Sequence, residues 1–187
     1  GAQNITVSQF KTKAREIADI DGFIGFGEMS TMHFCMGTGH VYQEAPPDHD
    51  LFLALVDVAN EKNVPIDIHQ EIVIDTMAFP TLVNGFFQEN PDTLYPNIDQ
   101  FRNLLSYALN KNVIIIWDHL SWDNTGNYTS SLCENLLSDY SNLYFSIKIS
   151  PDDSPETNRI IDSNGNIKQE WLNLFSQYPD HFMMGAD

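Results

Sequence analysis

The run Val113-Ile114-Ile115-Ile116-Trp117 places the tightest constraint on the fold. Five apolar residues without polar alternation are the pattern of a parallel strand covered on both faces, whereas a strand with one wet face alternates. Parallel neighbours need crossover connections, usually helical, and the chain supplies them in series. Phe10, Ala14, Ile17 and Ala18 predict a helix over 8–19 that Asp21-Gly22 ends, and a strand follows over 23–28. The glycines at 25 and 27 thin one face of that strand and let a neighbouring backbone come close. Pro46-Pro47-Asp48 starts a helix that Asn63 ends, ahead of a strand over 64–69 in which Ile66 and Ile68 face away from Asp67 and His69. Asn97, with Gln100 in the capping-box position, caps a helix over 98–110 before the apolar strand. Ser130 or Ser131 starts the next helix, Leu143–Ile147 forms a strand, a helix covers 167–178, and a last strand runs over 182–187. This alternation predicts one α/β domain of βα units on a parallel sheet. Residues 29–47, 70–97 and 148–166 read as long loops, and Asp162–Asn166 as a turn rather than a calcium loop.

With 187 residues, of which 42% are hydrophobic, the chain can bury a core of its own. Its 26 acidic and 9 basic side chains leave a net charge of −17. That field repels phosphate backbones and anionic lipid, so neither nucleic acid nor a membrane is an expected partner. A small-molecule substrate is expected instead, and a homo-oligomer is left open. Cys35 and Cys133 make no disulfide framework and weakly favour a cytoplasmic over a periplasmic setting. Cys35 reads as a small buried apolar residue.

Polar residues at the strand ends carry the functional signal. Four of the five expected strands end on a group able to bind metal or move protons: Glu28, His69, His119 and Asp187. Parallel strands present their C-terminal ends at one common face, so the four side chains are expected to converge there. Two imidazoles with carboxylates suit a divalent cation, Zn²⁺ foremost, in a site with a coordination position open to water. Each residue alone has a bland reading as a turn cap, a core histidine or a solvated terminus, and repetition at strand ends is what lifts the set. His33 and His40, in the loop after Glu28, and Trp122, after His119, are the expected substrate contacts. Asp118 is expected to face away from His119 along the strand and to play a structural or helix-capping role.

Gly25-Phe26-Gly27-Glu28, the strands ending on His69 and His119, and the closing Tyr178-Pro179-Asp180-His181-Phe182-Met183-Met184-Gly185-Ala186-Asp187 resemble the amidohydrolase superfamily, in particular its TIM-barrel metal-dependent hydrolases. The resemblance implies a (β/α)8 barrel in which these strands are four, five, six and eight. It further implies His69 as a metal ligand or a residue beside the metal, His119 as a ligand or the group polarising the substrate carbonyl, Asp187 as ligand and general acid/base, and Glu28 as a ligand of a second metal or a substrate contact. The implied reaction is hydrolysis of an amide, ester or lactone, with decarboxylation on the same scaffold, or a non-catalytic relative, as alternatives. The family's His-x-His pair on the first strand occurs nowhere in this chain, so the resemblance implies the C-terminal part of a longer barrel.

Overall fold

The computed structural model describes residues 5–35, 41–80, 90–120, 122–148 and 160–185. All five expected helices and all five expected strands are present. The helices are α1 (Val7–Ala18), α2 (Asp50–Lys62), α3 (Ile98–Asn110), α4 (Ser130–Asp139) and α5 (Gln169–Gln177). The strands of the main sheet are β1 (Phe26–His33), β2 (Gln43–Glu44), β3 (Ile66–Gln70), β6 (Ile115–Trp117), β7 (Leu143–Ile147) and β8 (Phe182–Met184), with β4 (Met77–Ala78) and β5 (Thr93–Leu94) in a separate hairpin.

The sheet has the order β2-β1-β3-β6-β7-β8. The five long-connected strands run parallel, each beside its predecessor in the chain, and only β2 pairs antiparallel, as an edge strand on β1. Sequential order with right-handed crossovers puts the helices on one face. Phe26, Ile66, Ile68, Ile115, Trp117, Leu143 and Phe145 are buried against Leu55, Val58, Phe101, Leu105, Leu136 and Trp171 in one core. Trp117 lies at its centre, its ring 4.9 Å from Phe101 and 4.8 Å from Tyr128.

The opposite face differs from expectation. Ile115 and Trp117 are buried, but Ile114 is 42% exposed and Ile116 only partly covered. The apolar run is therefore a parallel strand with one covered face, because all its crossovers lie on the same side. Asp67 and His69 lie on this second face, and the burial along β3 alternates as its sequence predicts.

Three boundaries also differ. Strand β1 continues to His33 and is joined by β2, so the stretch after Glu28 contributes strand at 29–33 and 43–44, and Glu28 sits within the strand rather than at its end. The stretch from Gln70 to Asn97 contains the β4–β5 hairpin, with its own small core of Met32, Phe34, Val73, Phe79 and Leu94. Asn97 occupies the N-cap position of α3 without capping it. Its amide instead takes the Val73 N–H (2.9 Å) and donates to the Glu71 carbonyl (2.8 Å), tying the segment after β3 to the helix. The cap of α4 is Thr129, which accepts from Leu132 N–H, rather than Ser130 or Ser131. Asp162 accepts from the backbone of Asn164 and Asn166, the turn expected there, and Cys35 is buried as expected.

Candidate metal centre

Glu28, His69 and His119 come together from three adjacent parallel strands. One ligand atom from each lies within 4.8 Å of the other two. Glu28 Oε1 is 2.9 Å from His69 Nδ1 and Glu28 Oε2 is 3.4 Å from His119 Nε2, while the two imidazole rings stand 5.2 Å apart. His69 is delivered by the period of β3, which turns it onto the uncovered face. His119 arrives differently. Strand β6 ends at Trp117, and His119 takes a left-handed backbone conformation, φ +59°. That region is uncommon outside glycine and clusters at functional sites. The reversal swings the imidazole back toward Glu28.

The same reversal corrects the expectation for Asp118. Alternation puts Asp118 and His119 on opposite faces only while the strand persists, and it does not. Asp118 stays on the site face, where its carboxyl meets that of Asp67. Burial, and then the neighbouring carboxyl, push Asp118 up to about 7, and Asp67 is raised as well, chiefly by burial. Two like charges at contact in a half-buried place disfavour ionisation of both carboxyls together.

Beneath His69 lies a carboxylate that sequence reading missed. Glu71 follows two residues on, just past the end of β3 at Gln70, and the two-residue spacing from His69 is the signal that points to it. Glu71 is 2% exposed, and its Oε1 lies 3.5 Å from His69 Nε2. His69 thus stands between two carboxylates. Burial disfavours its charged form, but Glu28 and then Glu71 outweigh that and raise it to about 9. The imidazoles of His119 and then His69 hold Glu28 well below the usual carboxylate range.

Two buried atoms beside this cluster lack a hydrogen-bond partner, as does Glu71 Oε2. His69 Nδ1 has no partner in hydrogen-bonding geometry although Glu28 Oε1 is 2.9 Å away, and Asp67 Oδ1 has none either. Buried polar atoms of this kind call for an explanation, and an ion is one.

The other expected residues fall around this cluster. His33 ends β1 with its ring 4.6 Å from that of His69, at the rim where a substrate contact is expected. Trp122 reaches the site indirectly: its indole N–H donates to Asn124 (3.0 Å), whose own amide donates to Glu71 (2.7 Å), and Lys148 lies over its ring. Asp187, expected as ligand and proton acceptor, and His40, expected as a substrate contact, lie outside the described residues. Among the described residues no helix is long and apolar enough to cross a membrane.

No protein-family model, curated protein or solved structure matches this chain.

Proposed function

We propose that this protein is a metal-dependent hydrolase acting on an amide, ester or lactone carbonyl, with Glu28, His69 and His119 as ligands of a divalent cation, Zn²⁺ foremost. The observation that carries the reading is the convergence of one ligand atom each from Glu28, His69 and His119 within 4.8 Å of one another, with the buried Nδ1 of His69 2.9 Å from Glu28 Oε1 yet outside hydrogen-bonding geometry. Two nitrogens and a carboxylate oxygen are a donor set that Zn²⁺ favours. Zinc–ligand distances of about 2.1 Å require donors roughly 3.4 Å apart; the Glu28 oxygens already stand 2.9 and 3.4 Å from the two histidine nitrogens, and the 4.8 Å bound on the set leaves at most about 1.4 Å to close between the imidazoles, which rotamer adjustment supplies. The carboxylates of Glu28, Glu71 and Asp67 make the surroundings favourable to a cation and unfavourable to an anion.

Such an ion, when bound, brings the pKa of a coordinated water near 7 and polarises a carbonyl. The chain's own residues do the rest. Glu28, from the middle of β1, holds the outer side of the centre, and His119 is aimed at it by the turn after β6. His33, at the rim, is placed to contact the substrate. Asp187, by its resemblance to the closing residue of metal-dependent hydrolases, takes the proton from the attacking water. The parallel, sequentially ordered strands and the uncovered face bearing the ligands further support reading the sheet as an arc of a (β/α)8 barrel, whose interior that face would line.

Metal content measured after loading with Zn²⁺ or Mn²⁺ and desalting tests the centre, followed by assays on ester, lactone and amide panels. One ion per chain in the wild type, lost in His69→Ala and His119→Ala, is expected, together with hydrolysis that Asp187→Ala abolishes. An ion content that these histidine changes leave untouched would sink the centre. A loaded protein that hydrolyses nothing but releases CO₂ from a carboxylate substrate would move the reading to decarboxylation, and one that turns over neither would move it to a binding role.

A further inference from the structure

Glu71 is a buried carboxylate for which the centre described above has no use as a ligand. Its side chain is 3% exposed, and Oε2 has no hydrogen-bond partner. A bare carboxylate in such a place is costly unless donors reach it. One donor bonds it, Asn124 Nδ2 at 2.7 Å, and His69 Nε2 stands 3.5 Å from the same oxygen.

Everything around Glu71 is fixed. Its N–H donates to the Met32 carbonyl on β1 (3.2 Å), and its carbonyl accepts from Asn97 (2.8 Å). The orientation of the Asn124 amide is set by its other end, because its Oδ1 accepts from the Trp122 indole. The NH₂ group of Asn124 must then point at Glu71, which leaves the carboxylate as the acceptor for His69.

A neutral imidazole carries one N–H. If Nε2 holds it and donates to Glu71, the lone pair is on Nδ1, the nitrogen 2.9 Å from Glu28 Oε1. We infer that Glu71 is a positioning residue that locks His69 in the tautomer whose Nδ1 binds the metal. This rests on the metal centre proposed above. Carboxylates behind ligand histidines fix ring orientation and raise ligand basicity, and their loss lowers metal affinity by about 10–100-fold. Asn124 and Trp122 hold the carboxylate in turn, so the loop after β6 supports the ligand on β3.

The test uses the full chain, loaded with Zn²⁺ and labelled with ¹⁵N-histidine. The two imidazole nitrogens of His69 are assigned by comparison with His69→Asn. In the loaded wild type, His69 is expected to show a metal-bound Nδ1 and a protonated Nε2. Zinc affinity, read by chelator competition, is expected to fall about 10–100-fold in Glu71→Gln and to be partly restored in Glu71→Asp, with thermal unfolding confirming that each variant folds. A loaded wild type with Nε2 on the metal and the proton on Nδ1 overturns the inference whether or not the variants fold, while the metal centre stands. Zinc affinity within twofold of wild type in folded Glu71→Gln also overturns it. A wild type that binds no zinc overturns the metal centre and this inference together.

Discussion

Gly27→Ala tests how closely β1 and β3 are held at the site. A methyl carbon placed on Gly27 would stand 2.7 Å from Asp67 Cβ and 3.3 Å from both Cγ and Oδ2. Carbon atoms prefer separations of about 3.5–4.0 Å, so the overlap is on the order of 1 Å. Rotation about χ1 cannot relieve it, because the atom met first is Asp67 Cβ, which is rigidly attached to the β3 backbone. One strand has to move. Strand β3 is bonded to β6 on its other side, and Ile66 and Ile68 are each 1% exposed in the core. Overpacking of this kind costs about 1–3 kcal/mol. Gly27 is not in the left-handed region, so alanine adds no backbone strain and gains about 0.5–1 kcal/mol over glycine within a strand. The net expectation is a loss of about 1–2 kcal/mol, or roughly 2–8 °C in Tm for a chain of this size. Because β1 carries Glu28 and β3 carries His69, zinc affinity should fall several-fold with it. Urea denaturation of Gly27→Ala, Asp67→Gly and the double variant isolates the clash, since Asp67→Gly removes the atom that the new methyl meets. A coupling energy of at least about 1 kcal/mol in favour of the double variant is expected. Additive effects within about 0.5 kcal/mol, or a Gly27→Ala protein as stable as wild type with unchanged zinc affinity, would refute the reasoning.

Asn97→Ala leaves the Val73 N–H buried without its side-chain acceptor, while the Glu71 carbonyl keeps the Gln70 amide as donor, and one unsatisfied buried group costs about 1–3 kcal/mol. Chemical denaturation should therefore show a loss of roughly 1–3 kcal/mol, and a loss under about 0.5 kcal/mol would mean that water reaches the Val73 N–H. The metal-free protein should lose stability as pH rises from about 6 to about 9. His69 is raised to about 9 from an ordinary value near 6.5, so its contribution is fully present below pH about 6.5 and is lost as pH climbs through 9. Asp118, raised to about 7, acts in the same direction at lower pH. The depressed Glu28 acts oppositely, with a contribution present above pH about 4.5 and lost on acidification. Differential scanning fluorimetry across pH 5–9.5 in the presence of a chelator would read this profile, and a Tm that climbs between pH 6.5 and 9 would contradict it.

Local pattern in the sequence determined a good deal of this protein. Hydrophobic periodicity located all five helices and all five parallel strands, because burial of one helical stripe or one strand face leaves its period in the chain. Alternation along Ile66–His69 placed His69 on the uncovered face, and the glycines of β1 announced the close approach now seen at Asp67. Other features are decided only when strands meet. Whether the second face of the Val113–Trp117 run is covered depends on the side to which every crossover goes. Asn97 reads as a helix cap because its local partners are near, and the tertiary structure offers it Val73 and Glu71 instead. Asp118 and His119 share the site because one residue turns left-handed after β6, a reversal that strand alternation cannot express. The meeting of Glu28 with His69 and His119 is the clearest case. Glu28 and His69 stand on neighbouring strands and His119 in the turn after a third, and only strand order, register and that turn bring three ligand atoms within 4.8 Å.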